Sequence, residues 1–318
     1  MDPFLILFGL GVGILVGATG MGGGSLMTPL LILLFGIKPV VAIGTDLAYA
    51  AITKTVGGWR HLRAGTVHTP LSLWLAVGSC PGALLGVAIL AWLDLEEVLL
   101  VLIAASLLLT GSLVLLRALI WSGEGERDHI QMSLRHRVAA VVLGFTVGVC
   151  LGVTSAGSGT LIAIGLILAF RLSPRRVVGT DVAHAAILLW VAALAHLVSG
   201  NVDLALAGTI LIGSIPGVWI GTSVATRLPE RGLRPALGIV LLSSGMALLG
   251  KAGLAIPTPV LVATPIVLVV VSYLLLRRRP ERVREHGAAA EHEVIETNAH
   301  PSRTHHISHQ PQPAPAEV

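Results

Sequence analysis

The sequence predicts an all-α polytopic membrane protein with two inverted repeats. Each repeat is expected to hold a glycine-tipped re-entrant hairpin and three membrane-crossing helices, and one extra helix follows. Of the 318 residues, 54% are hydrophobic and 12% are charged, whereas about one quarter are charged in soluble domains. Uncharged runs approach or exceed the ~20 residues that cross a bilayer as a helix. Segments 9–86 and 144–221 also correspond at a constant offset of 135 positions, without a gap.

Helices are favoured over strands because backbone groups inside a bilayer must satisfy one another, and the period-two alternation of a barrel strand is absent. Five hydrophobic units are predicted in each repeat. They are 4–19, 25–35, 40–58, 70–92 and 98–119 in the first, and 138–154, 160–170, 177–199, 204–225 and 233–249 in the second. A last helix over about 258–276 has no counterpart.

The second unit of each repeat is too short to cross the membrane. Its 11 residues would span about 17 Å of a ~30 Å hydrocarbon core. We therefore expect the first two units to form a re-entrant hairpin, which leaves three crossings per repeat and inverts the second copy. Residues 1–279 form one transport domain in this prediction, with repeats over about 4–120 and 138–250.

The positions of the arginines predict how the chain is oriented in the membrane. Arginines lie on one side of the predicted path, at Arg60, Arg63, Arg117, Arg127, Arg135, Arg137, Arg171, Arg175, Arg176, Arg227, Arg231, Arg234 and Arg277–279. By the positive-inside rule this side is cytoplasmic. The N-terminus is then outside and the C-terminus inside. Residues 280–318, rich in Glu, His and Pro, are predicted to be a disordered cytoplasmic tail.

Two glycine-rich turns, one in each repeat, are the predicted binding site. Each ends one hydrophobic unit and begins the next, so free N–H groups at the start of the second helix, together with nearby hydroxyls, would bind an anion. Close helix packing is the alternative role for these glycines, as predicted for Gly9, Gly13 and Gly17 at four-residue spacing. The predicted substrate-binding residues are Thr19, Gly20, Met21, Gly22, Gly23, Gly24, Ser25, Thr154, Ser155, Ala156, Gly157, Ser158, Gly159 and Thr160.

A Gly-Thr-Asp motif follows each turn, at Gly44-Thr45-Asp46 and Gly179-Thr180-Asp181. A membrane carboxylate costs about 3 kcal/mol to insert, so each is a functional candidate. Two roles remain open for Asp46, Asp181 and the adjoining Thr45 and Thr180: proton coupling, or holding a hairpin in place. His184 lies one turn after Asp181 and is either a partner of that site or a core histidine.

Three further positions receive weaker predictions. Lys54 follows Asp46 by eight residues, and its ammonium is expected to snorkel to the cytoplasmic surface. Pro-Gly pairs occur within the fourth unit of each repeat, after Ser79 and Ser214. They are hinges, parts of a cavity wall, or packing kinks.

The segment from Gly17 to Gly24 and the motif at Gly179 resemble the sulfite exporter TauE/SafE family, over about residues 4–276. The resemblance implies a bacterial inner-membrane transporter of small sulfur-containing anions such as sulfite, sulfoacetate or thiosulfate. The implied partners are a small anionic substrate, the lipid bilayer and a coupling proton or ion. A homodimer is left open. Ala156 and Ser158 replace Met21 and Gly23, so the two turns are not expected to contact substrate identically.

Three functions compete at this point. A secondary transporter is favoured, because the chain lacks a Walker-type phosphate-binding motif and no cofactor or nucleic-acid partner is expected. An anion channel is the nearest alternative. The alternative of another class is an intramembrane aspartic-type protease, in which Asp46 and Asp181 would share one proton.

Overall fold

The computed structural model describes residues 3–19, 24–92, 96–120, 132–225, 230–254 and 257–277. These ranges hold eleven helices. They are α1 (Pro3–Thr19), α2 (Gly24–Leu34), α3 (Pro39–Arg63), α4 (Thr69–Trp92), α5 (Glu96–Ile120), α6 (Leu134–Thr154), α7 (Ser158–Phe170), α8 (Pro174–Val198), α9 (Leu204–Ala225), α10 (Glu230–Lys251) and α11 (Thr258–Arg277). The predicted all-helical fold is confirmed, whereas the predicted tail at 280–318 lies outside the described residues.

Five of the described helices are long and apolar enough to cross a membrane: α4, α5, α6, α8 and α9. This confirms a multi-pass membrane protein. The helix α6 has 21 residues and could cross alone, whereas α2 has 11 and α7 has 13. The re-entrant arrangement of α6 with α7 therefore stays a prediction.

Helices of the two repeats pair with one another. The first helix of each repeat packs on the fourth helix of the other, α1 on α9 and α6 on α4. Glycines allow this approach: Cβ atoms added at Gly9 and Gly13 would collide with the backbone of α9 at Ile210 and Ser214. The predicted packing role of Gly9 and Gly13 is thereby confirmed.

Two pairs of equivalent helices, α3 with α8 and α5 with α10, lie antiparallel. The Thr45 hydroxyl, near the start of α3, accepts a hydrogen bond from the Asp203 N–H, beyond the end of α8 (3.1 Å). Reciprocally, the Thr180 hydroxyl near the start of α8 accepts from the His68 N–H, beyond the end of α3 (2.9 Å). In the same way Gly111 of α5 faces Gly238 of α10, and Gly245 faces Ala104.

In each Gly-Thr-Asp motif, the glycine and the threonine therefore pack against an interhelical loop of the other repeat. A Cβ at Gly44 would lie 2.9 Å from the Asn201 carbonyl carbon, and one at Gly179 would lie 2.5 Å from the Thr66 carbonyl oxygen. Only hydrogen fits at these positions. The structure thus places Thr45 and Thr180 against loops.

Candidate functional site

The second glycine-rich turn connects α6 to α7 through two left-handed residues. Ser155 has φ of 57° and Gly157 has φ of 92°. Gly157 caps α7 without a side chain, so no hydroxyl or carboxylate of the cap residue occupies the first free N–H groups of this helix. A helix start of this kind carries partial positive charge. The backbone geometry is therefore suited to an anionic group.

The first glycine-rich turn is described only at its ends. Predicted site residues Gly20, Met21, Gly22 and Gly23 lie outside the described residues, and the structure gives Thr19, Gly24 and Ser25 only as helical backbone at the ends of α1 and α2. Ser158 is likewise described only by its backbone at the start of α7.

Two hydroxyls of the second turn, those of Thr154 and Ser155, bond to other groups of the protein. Thr154 Oγ1 donates to the Cys150 carbonyl (2.8 Å) and accepts from the Ala156 N–H (3.3 Å). The Ser155 hydroxyl contacts Asp46 and Thr28, and Thr160 is buried. Thr154 and Ser155 therefore face other protein groups in this conformation, whereas the first backbone N–H groups of α7 are not capped by a side chain.

Asp46 joins three segments of the chain. Its Oδ2 lies 2.6 Å from Thr28 Oγ1 of α2 and 3.0 Å from Ser155 Oγ of the second turn. Asp46 and Thr28 have no solvent exposure, and Ser155 is 3% exposed. Asp46 of the first repeat thus contacts the short helix of its own repeat and the glycine-rich turn of the other.

Asp181 has a different environment from its counterpart Asp46. Its Oδ2 lies 3.8 Å from the Lys54 ammonium of α3, and both side chains are only one tenth exposed. A Cβ added at Gly159 would lie 3.4 Å from the same Oδ2, so this carboxylate also sits beside the start of α7. The predicted snorkelling of Lys54 is wrong: its ammonium is buried in an ion pair with α8.

His184 contacts the Pro-Gly segment of α4. Its Nε2 lies 2.8 Å from Ser79 Oγ, and both residues are fully buried. The equivalent residues Tyr49 and Ser214 are also fully buried. Their hydroxyls have no hydrogen-bond partner within the described residues. Of these two equivalent pairs, only Ser79 and His184 are joined by a hydrogen bond.

Replacing Ser79 with alanine is expected to lower the free energy of unfolding by about 1–2 kcal/mol, because the buried His184 ring loses its hydroxyl partner. Thermal unfolding in detergent would measure the change. The matched control is Ser214→Ala, which removes a hydroxyl at the same position of the other repeat but breaks no hydrogen bond. Equal destabilisation by both substitutions would contradict this assignment.

Sequence reasoning missed Thr28, and it gave Ser79 no polar partner. Thr28 is aligned with Ala163 in the second repeat, so a search for matching polar residues passes over it. Lys54 is aligned with Leu189 and was missed as a site residue for the same reason. Within the described ranges no group of three or more His, Cys, Asp or Glu side chains is arranged to hold a metal ion.

Apolar helices that cross a membrane, with charged groups buried beside a break between two helices, define the class of multi-pass membrane transporters. Residues 5–248 match the family described as Sulfite exporter TauE/SafE, and the chain belongs to this family.

Curated relatives carry names of the same class. The chain is 38% identical over 255 residues to "Probable membrane transporter protein YjnA" of Bacillus subtilis (strain 168), covering 78% of this chain and 100% of the relative. It is 30% identical over 245 residues to "Probable membrane transporter protein YdhB" of the same organism, covering 77% and 98%. No solved structure matches the chain. These relatives are named as transporters rather than enzymes.

Proposed function

We propose that the protein is a secondary transporter that moves a small anion, a sulfur oxyanion or organosulfonate such as sulfite, across the bacterial inner membrane. The observation that carries this proposal is the buried Lys54 ammonium next to the start of α7, with Asp181 between them. A cation and free helix N–H groups in a site of low polarity favour an anionic ligand.

Asp181 serves in this proposal as an internal substitute for the substrate. A charge that is buried in the protein needs an opposite charge beside it, because an unpaired buried charge is costly. An incoming oxyanion takes the place of the carboxylate beside Lys54 and the α7 N–H groups, and Asp181 moves away. Without substrate the carboxylate returns, so the site always holds one negative charge.

Alternating access rests on the two repeats being inverted. The opposite directions of α3 and α8, and of α5 and α10, support this arrangement. With the arginine-rich loops on the cytoplasmic side, the N-terminus lies outside and the C-terminus inside. The two glycine-rich turns then enter from opposite faces of the membrane, and Lys54 is exposed to one face and to the other in turn.

The partners of the two aspartates favour transport over proteolysis. A protease dyad needs two carboxylates that share one proton. Asp46 instead contacts two hydroxyls, and Asp181 contacts Lys54. The carboxylates are held by different groups, and in this proposal they perform different tasks.

Counterflow of labelled sulfite in proteoliposomes tests the function. We expect unlabelled sulfite inside the vesicles to accelerate entry of the label, and thiosulfate or a short sulfonate to compete with it. Measurements at two pH values would add the proton dependence. Non-saturating flux without counterflow would indicate a channel instead, and absence of flux or competition for all these anions would refute the sulfur-anion assignment.

A further inference from the structure

Three buried oxygens form a closed triangle. Thr28 Oγ1 lies 2.6 Å from Asp46 Oδ2, Ser155 Oγ lies 3.0 Å from the same Oδ2, and the two hydroxyl oxygens lie 2.6 Å apart. All three distances are those of O–H···O hydrogen bonds. Each side of the triangle therefore needs a hydrogen atom between its two oxygens.

The hydroxyls supply only two of these three hydrogens. A serine or threonine hydroxyl has one hydrogen, and an ionised carboxylate has none. If both hydroxyls donated to an ionised Asp46, two oxygen lone pairs would face each other across 2.6 Å. A protonated carboxyl removes the conflict, because Asp46 then donates to one hydroxyl, that hydroxyl to the second, and the second to Asp46.

The other carboxyl oxygen leads to the same protonation state. Asp46 Oδ1 is buried and has no hydrogen-bond partner in the part of the chain that the structure describes. An ionised oxygen without partners is far more costly to bury than the carbonyl oxygen of a neutral acid. This favours Oδ1 as the carbonyl oxygen and Oδ2 as the oxygen that carries the proton.

The backbone at Ser155 indicates that its hydroxyl has a function. Ser155 adopts a left-handed conformation (φ 57°), which costs about 1 kcal/mol or more for residues other than glycine. The equivalent residue in the first repeat is Gly20, which would have no such cost. The contacts with Thr28 and Asp46 offset the strain at Ser155.

We propose that Asp46 is a proton-binding site, occupied in this conformation, and that release of its proton separates α2 from the second glycine-rich turn. This inference rests on the proposed transport function and assigns its coupling ion. One proton from water on one side of the membrane forms the Oδ2–H bond, and the same bond breaks when the proton leaves to water on the other side.

Few other titratable groups face Asp46. On its own helix Tyr49 lies one turn away, and Lys54 lies two turns away beside Asp181 of α8. His196 of α8 also lies near this part of α3: its Nε2 donates to the Gly152 carbonyl (3.0 Å) and its Cβ faces Gly44. Asp203, beyond the end of α8, donates its N–H to Thr45, and its Oδ1 accepts the Leu206 N–H (2.9 Å). The sequences of α2 and α9 contain no titratable residue, and those of α5 lie at its ends. Asp46 is thus the acidic group that contacts both Thr28 and Ser155.

Proton release has a mechanical consequence. Once Asp46 is ionised, both hydroxyls donate to it, and the contact between Thr28 and Ser155 loses its hydrogen. Thr28 lies in α2 of the first repeat, and Ser155 lies in the second glycine-rich turn, which belongs to the second repeat. Repulsion between the two hydroxyl oxygens therefore moves α2 away from this turn. The proton and the approach of the two repeats are thereby linked.

Infrared difference spectroscopy of the purified full-length protein tests the protonation without any substrate. We expect the wild type at neutral pH to show the carbonyl band of a protonated, buried carboxyl group. Asp46→Asn, in which an amide reproduces the donor and acceptor of the neutral acid, should lose the band. Asp181→Asn, its counterpart in the other repeat, should retain it. A wild type without the band, or a band that persists in Asp46→Asn, would overturn the proposal.

Two additional measurements test the triangle and the coupling separately. Ser155→Gly, which installs the residue of the first repeat, should shift the same band because one partner of the carboxyl is lost; an unshifted band would contradict the triangle. In proteoliposomes, Asp46→Asn should retain sulfite counterflow at equal pH but lose accumulation driven by a pH gradient. Retained pH-driven accumulation would refute proton coupling at Asp46, whereas failure of sulfite flux in the wild type would refute the substrate alone.

Discussion

Replacing Lys54 with methionine is expected to abolish sulfite counterflow and to lower the free energy of unfolding by about 3–5 kcal/mol. The cost is that of removing one partner from a buried ion pair, which leaves the Asp181 carboxylate without its cation. Transport fails for a second reason, because the anion loses the ammonium that would bind it. Thermal unfolding in detergent and counterflow in proteoliposomes measure the two effects separately.

The double variant Lys54→Met/Asp181→Asn separates the two effects. Removing both charges should restore most of the stability, since no unpaired charge stays buried. Counterflow should remain absent, because neutralising Asp181 does not replace the cation for the substrate. If the double variant transports sulfite like the wild type, Lys54 serves only to neutralise Asp181, and the proposed anion site is wrong.

Gly13→Leu is expected to prevent assembly of the folded protein. A Cβ at this position would lie 2.7 Å from the Ser214 Cα of α9, and the contact atoms belong to backbone that cannot rotate away. Overpacking of this kind costs on the order of 3 kcal/mol or more. The yield of monodisperse protein after extraction, measured by fluorescence-detected gel filtration, should fall to background.

The control for this substitution lies two residues earlier in the same helix. Gly11 is exposed and has nothing within 4 Å of an added Cβ, so Gly11→Leu adds the same side chain without a collision. We expect its yield to match the wild type. Equal losses for both variants would mean that the added bulk or helix propensity matters, and that the α1–α9 contact does not.

Helix positions could be predicted from the sequence because bilayer-spanning segments must be long and apolar. The prediction fell short where a helix extends into polar surroundings. We predicted the third unit to end at residue 58, whereas α3 continues through Arg60 to Arg63. Hydropathy detects only the part of a helix that is apolar, and backbone hydrogen bonding continues beyond it.

The site was only partly predictable, because repeat comparison finds what the two copies share. Asp46 and Asp181 were found in this way, but their partners differ: hydroxyls for the first and an ammonium for the second. Thr28 and Lys54 stand opposite Ala163 and Leu189, so no symmetry indicates them. The positions that break the repeat supply the chemical difference between the two halves.

The exchange of first helices between repeats constrains how the protein is made. As the ribosome extends the chain, α1 enters the membrane long before its partner α9, which begins only at Leu204. At synthesis rates of about 5–20 residues per second, the interval is roughly 10–40 s. During that time the glycine-lined face of α1 is open to lipid or to insertion factors. A chain truncated before α9 would leave α1 without its native neighbour. Quality-control proteases would then meet the unpaired glycine-lined face of α1.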